Sequence, residues 1–179
     1  MRRLAPVILL LAAAGCSRGL KKSDAEAAIR ARYPVTVPVR VPGRVSADPK
    51  SQEGIRAQAF QNNLEKTGWF DITREEGKGG RTVWTFTPKP GAPVQPGGTG
   101  WLVPAAQAVF VKATHHAEQG KTAKVTYQIQ LTQPTAQFPL FQMLHPTVPI
   151  GDTKLRHAVF QQQGGAWALT GTDETFGKD

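Results

Sequence analysis

Histidines are the side chains in this sequence that could bind a metal ion, and two of the four are adjacent. His115 and His116 are followed by Glu118, whereas His145 and His157 stand apart. Adjacent strand residues point to opposite faces of a sheet, so the pair could chelate a metal only from a turn. Histidine ligands on a helix are spaced four residues apart, which is not the spacing here. We therefore interpret the pair as a solvated hairpin end and expect neither a metal site nor a cofactor.

Two pairs of neighbouring carboxylates could in principle serve acid–base catalysis. They are Glu75–Glu76 and Asp173–Glu174, and both lie in segments that we predict to be exposed. Such catalysis needs facing groups in a cleft with separated pKa values. The sequence also lacks a G-x-S-x-G motif and a phosphate-binding glycine loop with a lysine. We name no catalytic residue and favour a protein that is not an enzyme, although enzymatic activity stays open.

Cys16 is the only cysteine, which excludes an internal disulfide and a thiolate metal cluster. It follows two arginines and an apolar run over residues 4–14. A basic start and a short apolar run are typical of a secretory signal, because a membrane-spanning helix needs roughly 20 apolar residues. The small residues 13–15 directly before the cysteine resemble the lipobox of bacterial lipoproteins.

The lipobox resemblance covers residues 1–17 and implies that the chain is cleaved before Cys16 and acylated on that residue. Two or three acyl chains, at about 0.8 kcal/mol per buried CH₂, would hold the protein on a lipid bilayer. Ser17, directly after the cysteine, favours the outer membrane and its periplasmic side if the host has two membranes. The alternative is an ordinary secreted protein that keeps a free thiol.

Positive charge is concentrated near the expected anchor. The chain has 22 lysines and arginines against 13 acidic residues, and residues 16–50 hold eight of the cations but three of the anions. Basic residues near anionic headgroups contribute about 1 kcal/mol each. We predict that Arg18, Lys21 and Lys22 contact the membrane or an anionic envelope polymer; alternatively, they keep a proline-rich segment soluble. Nucleic acid, a usual partner of basic proteins, is not expected for an exported chain.

Sequence patterns predict an α+β fold, with two N-terminal helices and a β-hairpin followed by an antiparallel β-meander. Ser23–Glu26 has the pattern of a capping box before a helix over residues 24–32. Asp48–Pro49 predicts the start of a second helix, which ends at Gly68. Two strands around a glycine-rich turn at residues 75–80 form the predicted hairpin.

Alternating valines over residues 35–41, interrupted by prolines, predict an extended segment that either lies at a sheet edge or runs free of a sheet. Four prolines and four glycines in residues 88–100 predict a linker or a long exposed loop. After it, strands are predicted over residues 106–114, 125–131, 154–161 and 166–170. The predicted organisation is a signal peptide (1–15), a lipidated tether (16–22), an α+β module (23–87), the linker (88–100) and an antiparallel β module (101–179). Whether the two modules share one sheet is left open.

The expected anchor and the lack of an assembled reactive group favour a non-catalytic binding or scaffold subunit. Its expected partner is a protein or an anionic envelope polymer. The alternative is a small-ligand-binding domain, because helices before a curved meander resemble in pattern the NTF2-like and cystatin-like folds, some of which are enzymes. In that case Tyr127, His157 and Trp167 would line a deep cavity, and Trp101 would be a stacking platform. A filled core would favour the scaffold.

Overall fold

The computed structural model of the protein describes residues 19–174 and 176. The predicted signal peptide, Cys16 and Arg18 therefore lie outside the described residues. Within them, the chain combines three α-helices with mostly antiparallel sheet, which confirms the mixed α+β class. The elements are α1 Lys22–Arg30, β1 Val35–Pro42, β2 Arg44–Ala47, α2 Gln52–Leu64, β3 Phe70–Glu76, β4 Thr82–Pro88, β5 Gln95–Gly97, β6 Gly100–Gln119, β7 Thr122–Thr132, α3 Phe138–Leu144, β8 Thr153–Gln163 and β9 Ala166–Thr172.

Contacts divide the described chain into two units, each built from segments that are separate in sequence. Unit 1 contains residues 19–34, 109–130 and 153–174, and unit 2 contains residues 35–108, 131–152 and 176. Strand β6 contributes residues to both units. The linker predicted at residues 88–100 was inferred from proline and glycine content alone, and the division of the chain there stays a prediction.

In unit 1, α1 packs against strands in the order β6–β7–β8–β9. Strand β7 alternates between buried and more exposed residues, and Ala123, Val125, Tyr127 and Ile129 form its buried face. The helix contributes its own buried residues, Ala25 and Ile29. The core of this unit is therefore made by one face of the sheet and one stripe of the helix, and the opposite sheet face is left to solvent.

The predicted capping box at the start of α1 is wrong. The helix begins at Lys22, and its N-cap, Lys21, makes no side-chain capping bond. Glu26, which would have closed the box, instead accepts a hydrogen bond from the backbone N–H of Ala113 on β6, at 3.1 Å. A long-range hydrogen bond to a strand thus replaces the local one that the sequence pattern offers.

In unit 2, β2, β4 and β3 form a three-stranded sheet, and β1 pairs with the first part of β6. Strand β1 lies at the end of its sheet order, and its valines at positions 37, 39 and 41 are buried, so the edge-strand prediction is confirmed. Helix α2 is capped by Ser51, whose side chain accepts from the N–H of Gly54 at 3.1 Å, rather than by Asp48. It ends through a short 3-10 turn at Gly68, whose φ of 66° favours glycine.

Candidate functional site

Gly19 and Leu20, the first described residues of unit 1, fall within the predicted tether. The side chain of Leu20 is buried, and its backbone N–H donates to Glu118 Oε1 over 2.6 Å. Gly19 lies against the same carboxylate, because a Cβ at position 19 would be 3.0 Å from Glu118 Oε1. Glu118, near the end of β6, therefore fixes the position of Gly19 and Leu20.

Helix α1 follows this point directly and is held on the sheet along its length. Glu26 binds the backbone of Ala113 in its middle, and the guanidinium of Arg30 lies 4.7 Å from the ring centre of Phe110 near its end. A cation over an aromatic face is stabilising by about 0.5–1 kcal/mol at an exposed site. The position of the helix, and of the residues at its start, is thus determined by contacts at several points.

The predicted membrane-contact residues Lys21 and Lys22 lie at the start of α1, and both are exposed. The N-terminus of a helix carries partial positive charge, which disfavours a cation there by about 0.3–1 kcal/mol. Lys22 Nζ is 4.0 Å from Glu26 Oε1, a surface ion pair that contributes little. Local interactions within the helix therefore give little reason for two lysines at this place.

A small cavity of about 70 Å³ lies beside α1, lined by Lys22, Ala25, Val125 and residues 113–116. It has room for a few water molecules rather than for a cofactor. His116 Nε2 is buried and lies 3.0 Å from Glu118 Oε1, in an electrostatic contact that lacks hydrogen-bond geometry. Among residues 19–174 and 176, no three His, Cys, Asp or Glu side chains are grouped closely enough to hold a metal ion.

In unit 1 a hydrogen bond joins the partly buried Tyr33 to Tyr127, which is in the core. The Tyr33 hydroxyl donates to the Tyr127 hydroxyl at 3.0 Å, and the Tyr127 hydroxyl donates to the carbonyl oxygen of Asp173 at 2.8 Å. Both rings contact Phe110, with ring centres 6.5 Å and 6.1 Å away. Burial raises the pKa of Tyr33, and the hydrogen bond to Tyr127 raises it further. Burial also raises the pKa of Tyr127.

This pair predicts a loss of stability in alkaline solution. The folded chain holds its phenol protons at a pH at which the unfolded chain releases them, because unfolded tyrosines have a pKa of about 10. The contribution is therefore fully present below about pH 10 and falls as the pH rises above it, by at most about 1.4 kcal/mol per pH unit for each tyrosine. Urea unfolding at a series of pH values up to about 11 measures this slope.

The matched control is Tyr33→Phe, which removes one phenol and keeps the ring. This variant should show a shallower decline of the unfolding free energy above about pH 10 than the parent chain. The chain has two tyrosines in total, so ultraviolet absorbance of tyrosinate follows both groups directly. A parent chain whose tyrosines ionise near pH 10 while it stays folded would contradict the prediction.

The structure does not bring together Tyr127 and His157, two residues of the predicted ligand site. Tyr127 is opposite Arg156 on the neighbouring strand and is fully buried, whereas His157 is opposite Thr126 and is exposed. Opposite residues of an antiparallel pair share a face, and successive residues alternate faces. These two side chains therefore lie on opposite faces of the β7–β8 pair.

The two predicted tryptophan contacts belong to different units. Trp101 lies in unit 2, is partly exposed, and donates from Nε1 to the carbonyl oxygen of Phe86 at 2.8 Å. Trp167 lies in unit 1 on β9, is partly exposed, and is opposite Gln162 in the register.

A shallow groove on unit 2 was not predicted from the sequence. It encloses about 340 Å³ and is lined by Pro49, Ile55, Gln58, Ala59, Asn62 and Trp84. Ile55 is 52% exposed there, while Trp84 is buried and donates from Nε1 to Gln61 Oε1 at 3.2 Å. The groove combines amide groups of α2 with an apolar floor.

Sequence reasoning missed the residues that join α1 and its flanking segments to the sheet, namely Glu26, Glu118 and Tyr33. Their partners are 87, 98 and 94 residues away in the sequence. Neither spacing nor periodicity links residues so far apart, so no local pattern could have found these contacts.

None of the helices within the described residues has the length and the apolar content that crossing a membrane requires. No protein-family model, no curated protein and no solved structure matches the chain.

Proposed function

We propose that the protein is a lipid-anchored subunit of a bacterial cell envelope, which binds a protein partner or an anionic envelope polymer without catalysing a reaction. The observation that carries the proposal is the pair of exposed cations, Lys21 and Lys22, at the start of α1 in unit 1. This point follows Cys16, the residue that the lipobox resemblance marks for acylation, by a few residues. The proposed location is the outer membrane, facing the periplasm, in a host with two membranes.

A binding role is supported by exposed apolar side chains on the open sheet face of unit 1. Leu155 and Val159 on β8 are 58% and 37% exposed, and His157 lies between them on the same face. Exposed apolar groups grouped on one surface often mark a contact with a protein. The predicted arrangement, two N-terminal helices with a β-hairpin and then an antiparallel meander, is part of the same proposal and would present this face as a scaffold.

The ligand-binding alternative has less support. Tyr127, which would line its cavity, is fully buried, and its hydroxyl both accepts a hydrogen bond from Tyr33 and donates one to Asp173. The two cavities described above are lined by other residues than Tyr127, His157 and Trp167. Binding of a partner on the outer surface is therefore better supported than binding of a small ligand in a cavity.

The intact mass of the natural protein, extracted from its host membranes with detergent, tests the anchor. We expect a chain that begins at Cys16 and is heavier than its polypeptide by the mass of two or three acyl chains and the attached glyceryl group. Fragmentation should assign the added mass to the first residue. A chain that begins upstream of Cys16, or one with the mass of the bare polypeptide, would overturn the proposal.

A further inference from the structure

Three segments of the chain meet at one end of unit 1, which we call the hairpin end. They are residues 20–22, the β6–β7 turn at residues 119–121, and the β8–β9 turn at residues 163–166. The first is joined to the end of β6 by the Leu20–Glu118 hydrogen bond of 2.6 Å. The second and third are joined by the N–H of Gln162, which donates to the carbonyl oxygen of Lys121 at 2.8 Å.

We infer that the hairpin end is a docking surface for the anionic phospholipid headgroups of the membrane that holds the anchor, an inference that rests on the proposed lipid anchor. The two β-turns and the start of α1 would then contact the bilayer together. Acylation alone would leave unit 1 free to rotate on its tether, whereas docking gives it one orientation and turns the remaining surface toward a partner.

Charge at the hairpin end complements an anionic surface. Lys21, Lys22 and Lys121 are exposed and come from two of the three segments. Three carboxylates lie nearby: Glu118 accepts from the N–H of Leu20, Asp24 accepts from Ser23 at 3.3 Å, and Glu26 Oε1 is 4.0 Å from Lys22 Nζ. The remaining residues of the three segments are leucine, glycines, glutamines and alanine, so the segments themselves carry three cations and no acidic residue.

The length of the tether keeps this surface close to the bilayer. Cys16 and Leu20 are four residues apart, so their Cα atoms are separated by at most about 14 Å even in a fully extended chain. Electrostatic attraction in physiological salt acts over about 8 Å. A tethered surface also meets its target at a high effective concentration. These three facts favour the bilayer over a soluble anionic polymer as the occupant of the hairpin end.

Trp167 adds a side chain that suits the headgroup region. It lies on β9 directly after the β8–β9 turn, is opposite Gln162, and is partly exposed. Tryptophan is enriched at the membrane–water interface, where its ring meets both apolar and polar groups. The hairpin end thus combines three exposed cations with one aromatic ring of the interfacial type.

A fluorescent probe at the hairpin end tests the inference in the full-length acylated protein. The sulfur of Cys16 is consumed by its lipid in that protein, so Gln163→Cys introduces one reactive thiol at the β8–β9 turn. The matched control is Thr153→Cys, also exposed, at the other end of β8 and about 33 Å away. Each labelled protein is reconstituted into vesicles of phosphatidylcholine and phosphatidylglycerol that contain a headgroup-linked quencher, and the vesicles are floated on a density gradient.

We expect strong quenching at position 163 and little at position 153. The combined variant Lys21→Gln, Lys22→Gln, Lys121→Gln should lower the ratio of docked to undocked protein by about a hundredfold, so that quenching at position 163 falls to the level at position 153. Equal quenching at the two positions of a protein that floats with the vesicles would overturn the docking surface, and so would undiminished quenching in the lysine variant. A parent protein that does not float would instead overturn the lipid anchor itself.

Discussion

Replacing Cys16 with serine is expected to move the protein from the membrane fraction to the soluble fraction. Serine lacks the sulfur on which the thioether to the lipid forms, so neither that bond nor the later acylation of the new N-terminus takes place. The distribution of the protein between pellet and supernatant, after ultracentrifugation of disrupted cells and a wash in high salt, measures the effect.

The expected size of this effect follows from comparing the anchor with the nearby cations. One myristoyl chain binds a bilayer with an association constant of only about 10⁴ M⁻¹, and a second chain or a basic patch makes the attachment stable. By contrast, Arg18, Lys21 and Lys22 contribute about 1 kcal/mol each, and a total of about 3 kcal/mol corresponds to a dissociation constant in the millimolar range. In this proposal the cations would orient a protein that its acyl chains hold, and would not hold it on the membrane alone.

Two control variants separate these contributions. Ser17→Ala changes the residue next to the anchor but leaves the sulfur, and this protein should stay in the pellet. Neutralising Arg18, Lys21 and Lys22 to glutamine should also leave it there, since the acyl chains remain. Retention of the Cys16→Ser protein in the salt-washed pellet would contradict the anchor and require another means of membrane attachment.

The secondary structure was predictable where the pattern of side chains is local. The valines of β1, the alternation of β7 and the glycines between β8 and β9 each specify their element through neighbours in the sequence. The strand predicted over residues 106–114 is instead one strand from Gly100 to Gln119. Its first part carries Pro104 and its last residues are polar, which sequence patterns assign to loops, and both parts become strand by pairing with β1, β5 and β7.

The start of each long helix was predicted less well, for a common reason. Capping patterns such as Ser23–Glu26 and Asp48–Pro49 identify side chains that are able to bond to nearby backbone groups. The same side chains can make other bonds: Glu26 binds Ala113 on β6, and Asp48 accepts from the N–H of Lys50 at 2.8 Å. The choice between these bonds depends on packing that the local sequence does not contain.

In the candidate site, too, the sequence predicts residues that are close to one another in the chain but not those that folding brings together. Lys21 and Lys22 could be named from the sequence because they stand beside Cys16. Lys121 and Glu118 could not, since they reach the hairpin end through the folding of β6 and β7 onto α1. Tyr127 and His157 were grouped from their strands, yet the register of β7 and β8 places them on opposite faces.

Lys21 and Lys22 lie at the start of α1, so the packing of this helix on the sheet controls their position. Ile29, on the face of α1 that packs against the sheet, is fully buried, with 0% of its surface exposed. The polar contacts of α1 are single bonds: Glu26 to the N–H of Ala113, and Arg30 over the ring of Phe110. Burial of a whole isoleucine side chain contributes about 1.5–3 kcal/mol, more than either of them, and should dominate the attachment of the helix.

Replacing Ile29 with alanine is therefore expected to lower the free energy of unfolding by about 3 kcal/mol, through lost burial and the cavity that remains. Ile29→Val should cost about 1 kcal/mol, because it removes one methylene. Urea denaturation of the chain from residue 16 onward, carrying Cys16→Ser to keep it soluble, measures both losses. The slope of the free energy with urea concentration should stay unchanged if the variants fold to the same state.

Ile55→Ala is the matched control, since it makes the same substitution in a helix at a residue that is 52% exposed. Less apolar surface is lost there, and alanine has the higher helix propensity, so the change in unfolding free energy should stay within about 1 kcal/mol. Similar losses for the two alanine variants would mean that Ile29 is not buried under α1. In that case the helix would not be fixed on the sheet, and Lys21 and Lys22 would have no defined direction relative to the bilayer.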